Sequence, residues 1–392
     1  MSDYIPQELL HEILIKLPVE SLVRFTIVCK SWYSIITDPQ FVNLQCNYAN
    51  LNENKKPLLV RFYDRVVKEE NYTIRCDDET FSEEFTRVEF PFKSPLGYFR
   101  IVGICNGLVC LSDDLFGDTE RVILWNPAVR KSVDIEMPVR PKYPHMFVLG
   151  FGNCPVTNDH KVVRVVYLKD SSLNFTVPPE VQVYSLSTGS WRDVNAGAPL
   201  SYMVEYTWSQ VFVSGCVHWL AYRKQGESGS RNLLVSFHMG DEVFGEVMLP
   251  DSLANDIVYD MSVSICGDSL AALKYNKEIG QESCVVWVMR EYGVSESWTK
   301  LYTIRVPETL TRTIGFRKDG EVVLSLCNNE LVSYDPVTGQ IKGLGITGNI
   351  RSFFVGNYVE SLVLLKGQSS LREGIPNLFA AGATENAVIA EQ

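Results

Sequence analysis

Residues 103–128 read GICNGLVCLSDDLFGDTERVILWNPA, and this stretch carries the two signals that decide the fold. The first is Asn106-Gly107, a turn dipeptide that stands before the apolar run LVCL. Asn and Gly tolerate the positive backbone φ of tight turns, so the dipeptide predicts a turn between two strands. The second signal is an aromatic strand, ILW, that ends at the turn residues Asn126-Pro127.

Both signals recur along the chain at a nearly constant distance. The turn dipeptides are spaced by 52, 56, 52 and 53 residues, and the aromatic residues by 59, 53, 50 and 47. A period of this length is typical of four-stranded blades arranged around an axis, so five blades are predicted between about residues 100 and 345. The dipeptides are Asn106-Gly107, Asn158-Asp159, Ser214-Gly215, Cys266-Gly267 and Asp319-Gly320, and the aromatic residues are Trp125, Tyr184, Phe237, Trp287 and Tyr334.

A ring of blades must close, and β-like segments remain at both ends of the repeat region. Pairing the last strands with the first would build a sixth blade and would protect strand edges. We therefore expect six blades, closed by N- and C-terminal strands. The segments are residues 58–63, 72–75 and 87–90 in front, and 353–355 and 362–365 behind.

The first 45 residues differ in kind from the rest. Apolar residues at helical spacing predict an amphipathic helix over residues 6–16, and Pro18 prevents its smooth continuation. A second helix starts near residue 20 and carries Leu22, Phe25 and Val28. A third helix ends at Asp38-Pro39, and Phe41 lies in a last short turn. About forty residues are too few for a stable core of their own, so we expect this module to need a partner.

The order of residues in the module resembles an F-box over its full length. Ile5 stands where Leu is commoner, an exchange that conserves volume. The resemblance implies that the module docks on the Skp-family adaptor of a cullin-based SCF ubiquitin ligase. It rests on Ile5-Pro6-Gln7-Glu8-Leu9-Leu10, Ile13-Leu14, Leu17-Pro18, Leu22-Val23-Arg24-Phe25, Val28-Cys29-Lys30-Ser31-Trp32 and Asp38-Pro39-Gln40-Phe41.

Ten residues match the docking face of that family, and some of them must also form the core of the module. The alternative is that the amphipathic helices only cap their own molecule, which such helices do more often than they bind a partner. The ten residues are Ile5, Pro6, Leu9, Ile13, Leu17, Pro18, Leu22, Val28, Cys29 and Trp32.

The repeat region is similar to the plant F-box-associated domain of the first type, often called kelch-like, although the chain contains no Gly-Gly pair. This family includes the S-locus F-box proteins of pollen, their paralogues, and receptors that control turnover of regulatory proteins. The resemblance rests on the blocks Gly103-Ile104-Cys105-Asn106-Gly107, Leu124-Trp125-Asn126-Pro127-Ala128, Gly150-Phe151-Gly152, Val183-Tyr184-Ser185-Leu186, Val217-His218-Trp219 and Val286-Trp287-Val288-Met289.

The fold class that follows is α+β and multidomain, with a small α-helical F-box before an all-β propeller. The predicted boundaries are 1–45 for the F-box, 46–57 for a linker rich in Asn and Lys, 58–365 for the propeller and 366–392 for a disordered tail.

Composition narrows the function classes. The chain has 392 residues and a formal net charge of −11, so nucleic acid is disfavoured and a basic protein target is favoured. The first residues do not resemble a secretory signal, no apolar run approaches the length of a membrane span, and ten cysteines are scattered without a CxxC pair. We therefore expect a cytoplasmic or nuclear protein with reduced cysteines.

The chemical motifs of the sequence are weak, so no cofactor, no metal and no catalytic residue is predicted. Residues 343–348 spell GxGxxG, but a turn and a strand follow where a dinucleotide site needs a helix. Cys216 and His218 are two residues apart on a predicted strand and so share a face, but one such pair is more often ordinary packing than a zinc site. Ser297 and Lys300 match the SxxK motif of some acylases, but that motif needs a helix and these residues lie in the strand-rich repeat region. The acidic run 77–79 is interpreted as a solvated connection.

The function predicted from the sequence is a non-catalytic substrate receptor of a ubiquitin ligase. Its target-binding face would lie on connections between strands, with candidates at residues 113–120, 140–145, 171–179 and 226–231. Two alternatives stay open: an S-locus-like protein that recognises secreted ribonucleases, and a propeller enzyme or binding module that does not join a ligase.

Overall fold

The structure is a computed structural model of the chain. It describes residues 6–51, 57–81, 83, 85–94, 97–114, 121–138, 144–171, 174–175, 178–194, 201–204, 210–225, 229–278, 282–307 and 309–365. Ile5, part of the predicted docking face, and the predicted tail 366–392 lie outside the described residues.

Four helices precede the strands: α1 (Gln7–Leu14), α2 (Val19–Phe25), α3 (Lys30–Ile36) and α4 (Pro39–Leu51). Pro6 and Pro18 stand directly before α1 and α2, because a residue without an N–H group loses nothing at a helix start. The sulfur of Cys29 caps α3, because it accepts a weak hydrogen bond from the backbone N–H of Trp32 at 3.5 Å. Val28 was predicted on the second helix but lies in the turn after α2.

Helix α4 corrects two predictions, the short turn at Phe41 and the linker beginning at residue 46. Asp38 caps the helix, since its Oδ1 accepts from the Gln40 N–H at 2.8 Å and the Phe41 N–H at 3.3 Å. Cys46 is buried, and burial raises the pKa of its thiol to about 11. The helix is stabilised by tertiary burial, which its polar sequence does not reveal.

The described residues contain twenty-five strands, which form six antiparallel sheets. Blade 1 contains β4 (Arg100–Cys105), β5 (Leu108–Ser112), β6 (Val122–Asn126) and β7 (Lys131–Ile135), and blade 2 contains β8 (His145–Asn153), β9 (His160–Leu168), β10 (Glu180–Ser185) and β11 (Ser190–Asp193). Blade 3 contains β12 (Met203–Val204) and β13 (Val211–Val213), which both pair with β14 (Cys216–Gln225), then β15 (Gly229–His238) and β16 (Phe244–Met248).

The remaining strands complete the ring. A short helix, α5 (Asp251–Ala254), leads to blade 4 with β17 (Met261–Cys266), β18 (Ser269–Asn276), β19 (Ser283–Met289) and β20 (Trp298–Arg305). Blade 5 contains β21 (Leu310–Phe316), β22 (Val322–Leu326), β23 (Glu330–Tyr334) and β24 (Ile341–Thr347). Blade 6 has the order β25 (Phe354–Asn357), β1 (Leu58–Asp64), β2 (Glu69–Arg75) and β3 (Phe85–Val88).

The predicted repeat is confirmed strand by strand. Each predicted turn dipeptide lies at the connection between the first and second strands of its blade, and Asn106, Asn158 and Ser214 have a positive φ there. Each predicted aromatic residue, from Trp125 to Tyr334, lies on the third strand of its blade. The two landmarks therefore mark equivalent positions in five blades.

Closure by both chain ends is also confirmed, although one predicted strand is wrong. Strand β25 pairs antiparallel with β1, with Val60 opposite Val355, so blade 6 combines three N-terminal strands with one C-terminal strand. Residues 362–365 were predicted as a second C-terminal strand, but they form a turn outside the sheet. Leu362 is instead buried among the side chains of the N-terminal helices.

The ring has two faces that follow from strand direction alone. In an antiparallel blade the connections from first to second and third to fourth strand lie at one end, and all other connections lie at the opposite end. The first end is here called the near face and the second the distal face. Asn106 and Val129 lie on near-face connections, whereas Asp113, Asp114 and Arg121 lie between β5 and β6 on the distal face.

Glycines on an inner strand let neighbouring blades approach closely. A Cβ atom on Gly150 would lie 2.4 Å from Cζ2 of Trp219, and one on Gly152 would lie 2.3 Å from Cδ2 of Phe212. The indole N–H of Trp219 in blade 3 donates to the Leu149 carbonyl in blade 2 at 3.0 Å, and this hydrogen bond stabilises the contact between the two blades. The block Gly150-Phe151-Gly152 is therefore a packing requirement of the ring.

Replacing Gly150 by Val should destabilise the propeller by roughly 1–3 kcal/mol, because the new side chain must displace the buried Trp219 ring. Urea unfolding followed by tryptophan fluorescence measures the change. Gly343→Val is the matched control, since nothing lies within 4 Å of a Cβ atom at Gly343 and stability should be unaffected. Equal stability of the two variants would contradict the packing role of Gly150.

Two buried histidines make stability depend on pH. Burial lowers the pKa of His160 and of His218 to about 4, well below the 6.5 of a free imidazole. The folded state keeps both imidazoles neutral, whereas the unfolded chain protonates them below about pH 6.5. The contribution of each histidine to stability is therefore fully present above pH 6.5 and is lost as the pH falls towards 4. Between pH 7.5 and 5.5 the free energy of unfolding should decrease by about 1 kcal/mol per histidine. Urea unfolding of His160→Gln should show a smaller pH dependence than wild type, and an unchanged dependence would disprove the assignment.

Candidate functional site

The N-terminal helices and the near face of the propeller share one hydrophobic core. Its buried members are Leu14, Val19, Leu22, Ile35, Ile36 and Phe41 from the helices, together with Val129 and Leu362 from the propeller. The Asn50 amide also donates to the Asn106 side-chain oxygen at 3.2 Å, at the first turn of blade 1. The propeller of the same chain therefore supplies the apolar contacts that the helices need to form a core.

Asn126 fixes the C-terminal segment that completes this core. Its side-chain amide is fully buried and donates to the carbonyls of Ser361 at 3.0 Å and Val363 at 2.8 Å. Its oxygen accepts the Ala128 N–H at 3.0 Å. Leu362 stands between the two accepting residues, so Asn126 holds it against the helices. This contact explains why Asn stands directly after the aromatic residue in Leu124-Trp125-Asn126-Pro127.

A second apolar surface of the helices faces solvent. On α1, Leu10 and Leu14 point to the core, whereas Leu9 and Ile13 are 49% and 51% exposed. Residues four apart lie side by side on a helix, so Leu9 and Ile13 form a continuous pair. At the turn after α2, Ile27 is 88% and Val28 59% exposed. We call Leu9, Ile13, Ile27, Val28 and the half-exposed Tyr33 the helical surface. Exposed large apolar side chains that are contiguous, as Leu9 and Ile13 are on α1, mark interaction sites.

The described members of the predicted docking face divide into three groups. Pro6, Leu9, Ile13, Pro18, Val28 and Cys29 are exposed, and Leu17 and Trp32 are partly buried. The Trp32 ring packs edge-to-face on Phe25 with a centroid distance of 5.1 Å. Leu22 is fully buried in the shared core and has no surface to offer in this structure. Leu22, Phe25 and Val28 were predicted on one helix, but Val28 lies beyond the helix end.

Sequence reasoning missed Ile27 and Tyr33 as members of the helical surface. Ile27 is the most exposed of the apolar residues in the described helical module. It lies in the run Thr26-Ile27-Val28, which helical periodicity does not assign to one face because the helix has already ended. An apolar residue at such a turn is a usable signal, since turns normally carry polar residues.

The described ends of the four candidate target connections lie at the distal face, opposite the helices. Parts of them differ from the prediction. Residues 229–231 belong to β15, and Asp113 and Asp114 are buried. Residues 115–120, 139–143, 172–173, 176–177 and 226–228 lie outside the described residues.

The weak chemical motifs have structural roles in the described part of the chain. Gly343 and Gly345 lie on β24, and a turn and β25 follow them, as the sequence indicated. His218 is buried and its Nε2 lies 2.9 Å from the Tyr292 hydroxyl. Asp77 was predicted in a solvated connection, but its side chain is only 7% exposed and its Oδ1 forms an ion pair with Arg317 Nε at 2.9 Å. That pair connects blades 5 and 6, which explains why an acidic residue is needed there.

The described residues contain no group of three or more His, Cys, Asp or Glu side chains that could hold a metal ion. No helix among them has the length and apolar character needed to cross a bilayer. The ten cysteines are free thiols.

Short helices with an outward apolar surface, carried on one face of a six-bladed propeller, define an F-box protein of the propeller class. The model of the F-box associated beta propeller domain matches residues 37–365, and the model of the F-box domain matches residues 3–44. The chain therefore belongs to the family of F-box proteins with an F-box associated beta propeller domain.

Curated relatives agree with this assignment. The F-box protein At3g07870 of Arabidopsis thaliana is 27% identical over 378 residues, which are 87% of this chain and 87% of that protein. F-box protein CPR1 of the same plant is 28% identical over 385 residues, 92% of this chain and 89% of that protein. The F-box/kelch-repeat protein At3g23880, also from Arabidopsis thaliana, is 27% identical over 358 residues, 86% of this chain and 92% of that protein.

Shortening Leu362 to Ala should loosen the helical module, because it removes a fully buried side chain from the shared core at a cost of about 2–5 kcal/mol. Hydrogen exchange read by mass spectrometry should then show faster exchange in α1–α3, with blades 2–4 unchanged. Val337→Ala, at a position 91% exposed, is the control. Unchanged exchange in the helices would contradict the role of Leu362.

Proposed function

We propose that the protein is the substrate-recognition subunit of an SCF-type cullin-RING ubiquitin ligase. The F-box binds a Skp-family adaptor and, through it, the cullin, while the propeller binds a target protein for ubiquitination and degradation. The observation that carries the proposal is the helical surface. The opposite side of the same helices is already buried against the propeller, so their remaining apolar side chains need a partner from outside the chain.

The arrangement of the two faces supports a tethering mechanism. The helices occupy the near face, so the distal face is available to a target. A target held there has a raised effective concentration near the charged conjugating enzyme, and this chain itself supplies no bond chemistry. We therefore propose a non-catalytic role. The family assignment supports this role, since F-box proteins act as adaptors, and an adaptor connects other proteins without itself acting as an enzyme.

The target and its location are also part of the proposal. A net charge of −11 favours a basic target, and the free cysteines agree with a cytoplasmic or nuclear setting. The S-locus-like role and the recognition of secreted ribonucleases stay predictions from the sequence resemblance.

Binding of the purified chain to a Skp-family adaptor tests the proposal. The double variant Ile13→Asp, Val28→Asp should weaken binding at least about thirtyfold, because it places two charges in an apolar interface at a cost of about 2 kcal/mol or more. Both side chains are more than half exposed, so the fold should survive, as a thermal melt can check. Isothermal titration calorimetry measures the affinity.

Val66→Asp is the matched control, since Val66 is 91% exposed and lies on the distal face. It should bind the adaptor with wild-type affinity. A wild-type chain that fails to bind where another F-box protein binds would remove the ligase role and would leave a propeller binding module. Wild-type affinity in the double variant would place the adaptor on another surface.

A further inference from the structure

A pocket near the ring axis is lined by four arginines that are far apart in sequence. Arg61 lies on β1, Arg100 begins β4, Arg312 lies near the start of β21 and Arg351 lies between β24 and β25. Strands β4, β21 and β25 are innermost in three neighbouring blades, and each begins at the distal face. The pocket therefore lies at the distal end of the axis, on the side opposite the helices.

Two of the guanidinium groups are held by neutral acceptors. Arg61 donates from Nη1 to the Ser352 carbonyl and from Nη2 to the Phe99 carbonyl at 2.7 Å. Arg312 donates from Nη2 to the Phe353 carbonyl at 2.9 Å. Backbone carbonyls fix the direction of these groups without neutralising their charge. The remaining N–H donors are thus pre-oriented, since each guanidinium carries five.

Only part of the positive charge is balanced by carboxylates. Arg100 forms an ion pair with Asp114, with Nε and Oδ1 at 2.8 Å. Glu70 faces Arg61, but its oxygens already accept the Phe99 N–H at 2.8 Å and the Tyr72 hydroxyl at 2.9 Å. Arg312 and Arg351 form no ion pair with any described residue. Among the described residues, two carboxylates therefore stand against the four arginines of the pocket, in a chain whose net charge is −11.

Burial affects the hydrogen bonding of Arg61 and the pKa of Arg312. Arg61 is 3% exposed, and its buried Nε has no hydrogen-bond partner among the described residues. Burial lowers the pKa of Arg312, and the nearby charge of Arg61 lowers it further. Unpaired buried charge is costly, so an anion that entered the pocket would be stabilised by donors already in place.

We propose that this pocket binds a phosphate monoester. A dianion matches the surplus of two positive charges, and its three terminal oxygens can accept from guanidinium groups on several sides. A carboxylate is satisfied by a single arginine fork, and Arg100 of the pocket already forms such a pair with Asp114. The phosphate can belong to a phosphorylated side chain of a bound protein or to a free phosphorylated small molecule, because the chemistry is the same.

This inference goes beyond the proposed function and does not need the adaptor. In a substrate receptor, such a site would make target binding depend on phosphorylation. In a propeller that never joins a ligase, it would still be an anion site. The two proposals can therefore fail separately, because phosphate binding is measured on the full chain alone.

Isothermal titration calorimetry with four probes tests the pocket. The probes are inorganic phosphate, a Gly-Ser peptide with one phosphoserine, the same peptide unphosphorylated, and the same peptide with Glu in place of phosphoserine. We expect binding of the phosphopeptide or of inorganic phosphate, and binding at least about tenfold weaker for the other two peptides. Tighter binding of the phosphopeptide than of inorganic phosphate identifies a protein side chain as the source, and equal binding identifies a free phosphate.

The variants Arg312→Gln and Arg351→Gln should each weaken phosphate binding by about tenfold or more. Arg351 is exposed, so its replacement should not disturb folding even if that of Arg312 does. Arg290→Gln is the matched control, because Arg290 is exposed and lies on the near face. No phosphate binding by wild type, equal binding of the Glu peptide, or unchanged binding in Arg351→Gln would overturn the proposal.

Discussion

The pairing of β25 with β1 is the constraint on which the rest of the structure depends. Val60 and Val355 lie opposite each other, so one sheet joins residues almost three hundred positions apart. Without this pairing, strands at both ends of the chain would present open edges. With it, Asn357 lies beside Leu58, and the segment after β25 leaves the ring where the helical module enters it. The closing sheet therefore determines where both ends of the chain meet.

The position of the helical module follows from that meeting point. Four short helices cannot bury enough apolar surface alone, and Leu362 and Val129 provide the missing contacts. Because the propeller satisfies one side of the helices, the other side can remain apolar and exposed without loss of the fold. A module that used all its apolar residues internally would have nothing left for a partner. The division between Leu14 inside and Ile13 outside on one helix is the structural basis of the proposed function.

The repeat could be predicted from the sequence because its signals are local. A turn like Asn106-Gly107 and an aromatic residue like Trp125 recur wherever the same backbone geometry recurs, so their period predicted the blades. Closure could be predicted because a ring of blades must pair its first and last strands. Features that depend on distant contacts could not be predicted. Helix α4 lacks apolar periodicity and forms because Gln45 and Cys46 are buried. Residues 362–365 have a strand-like composition, yet Asn126 holds them in a turn against the helices.

The arginine pocket was invisible in the sequence for the same physical reason, and it also depends on ring closure. Arg61 and Arg351 belong to opposite ends of the chain, and they line one pocket only because β25 completes the blade that contains β1. The carbonyls that orient Arg61 come from Phe99, directly before β4, and from Ser352, two residues before β25. Like charges brought together in this way oppose closure, so the pairing of β25 with β1 must outweigh the repulsion between these arginines. An anion in the pocket would remove part of that repulsion, which links occupation of the distal face to the stability of the sheet that positions the helices.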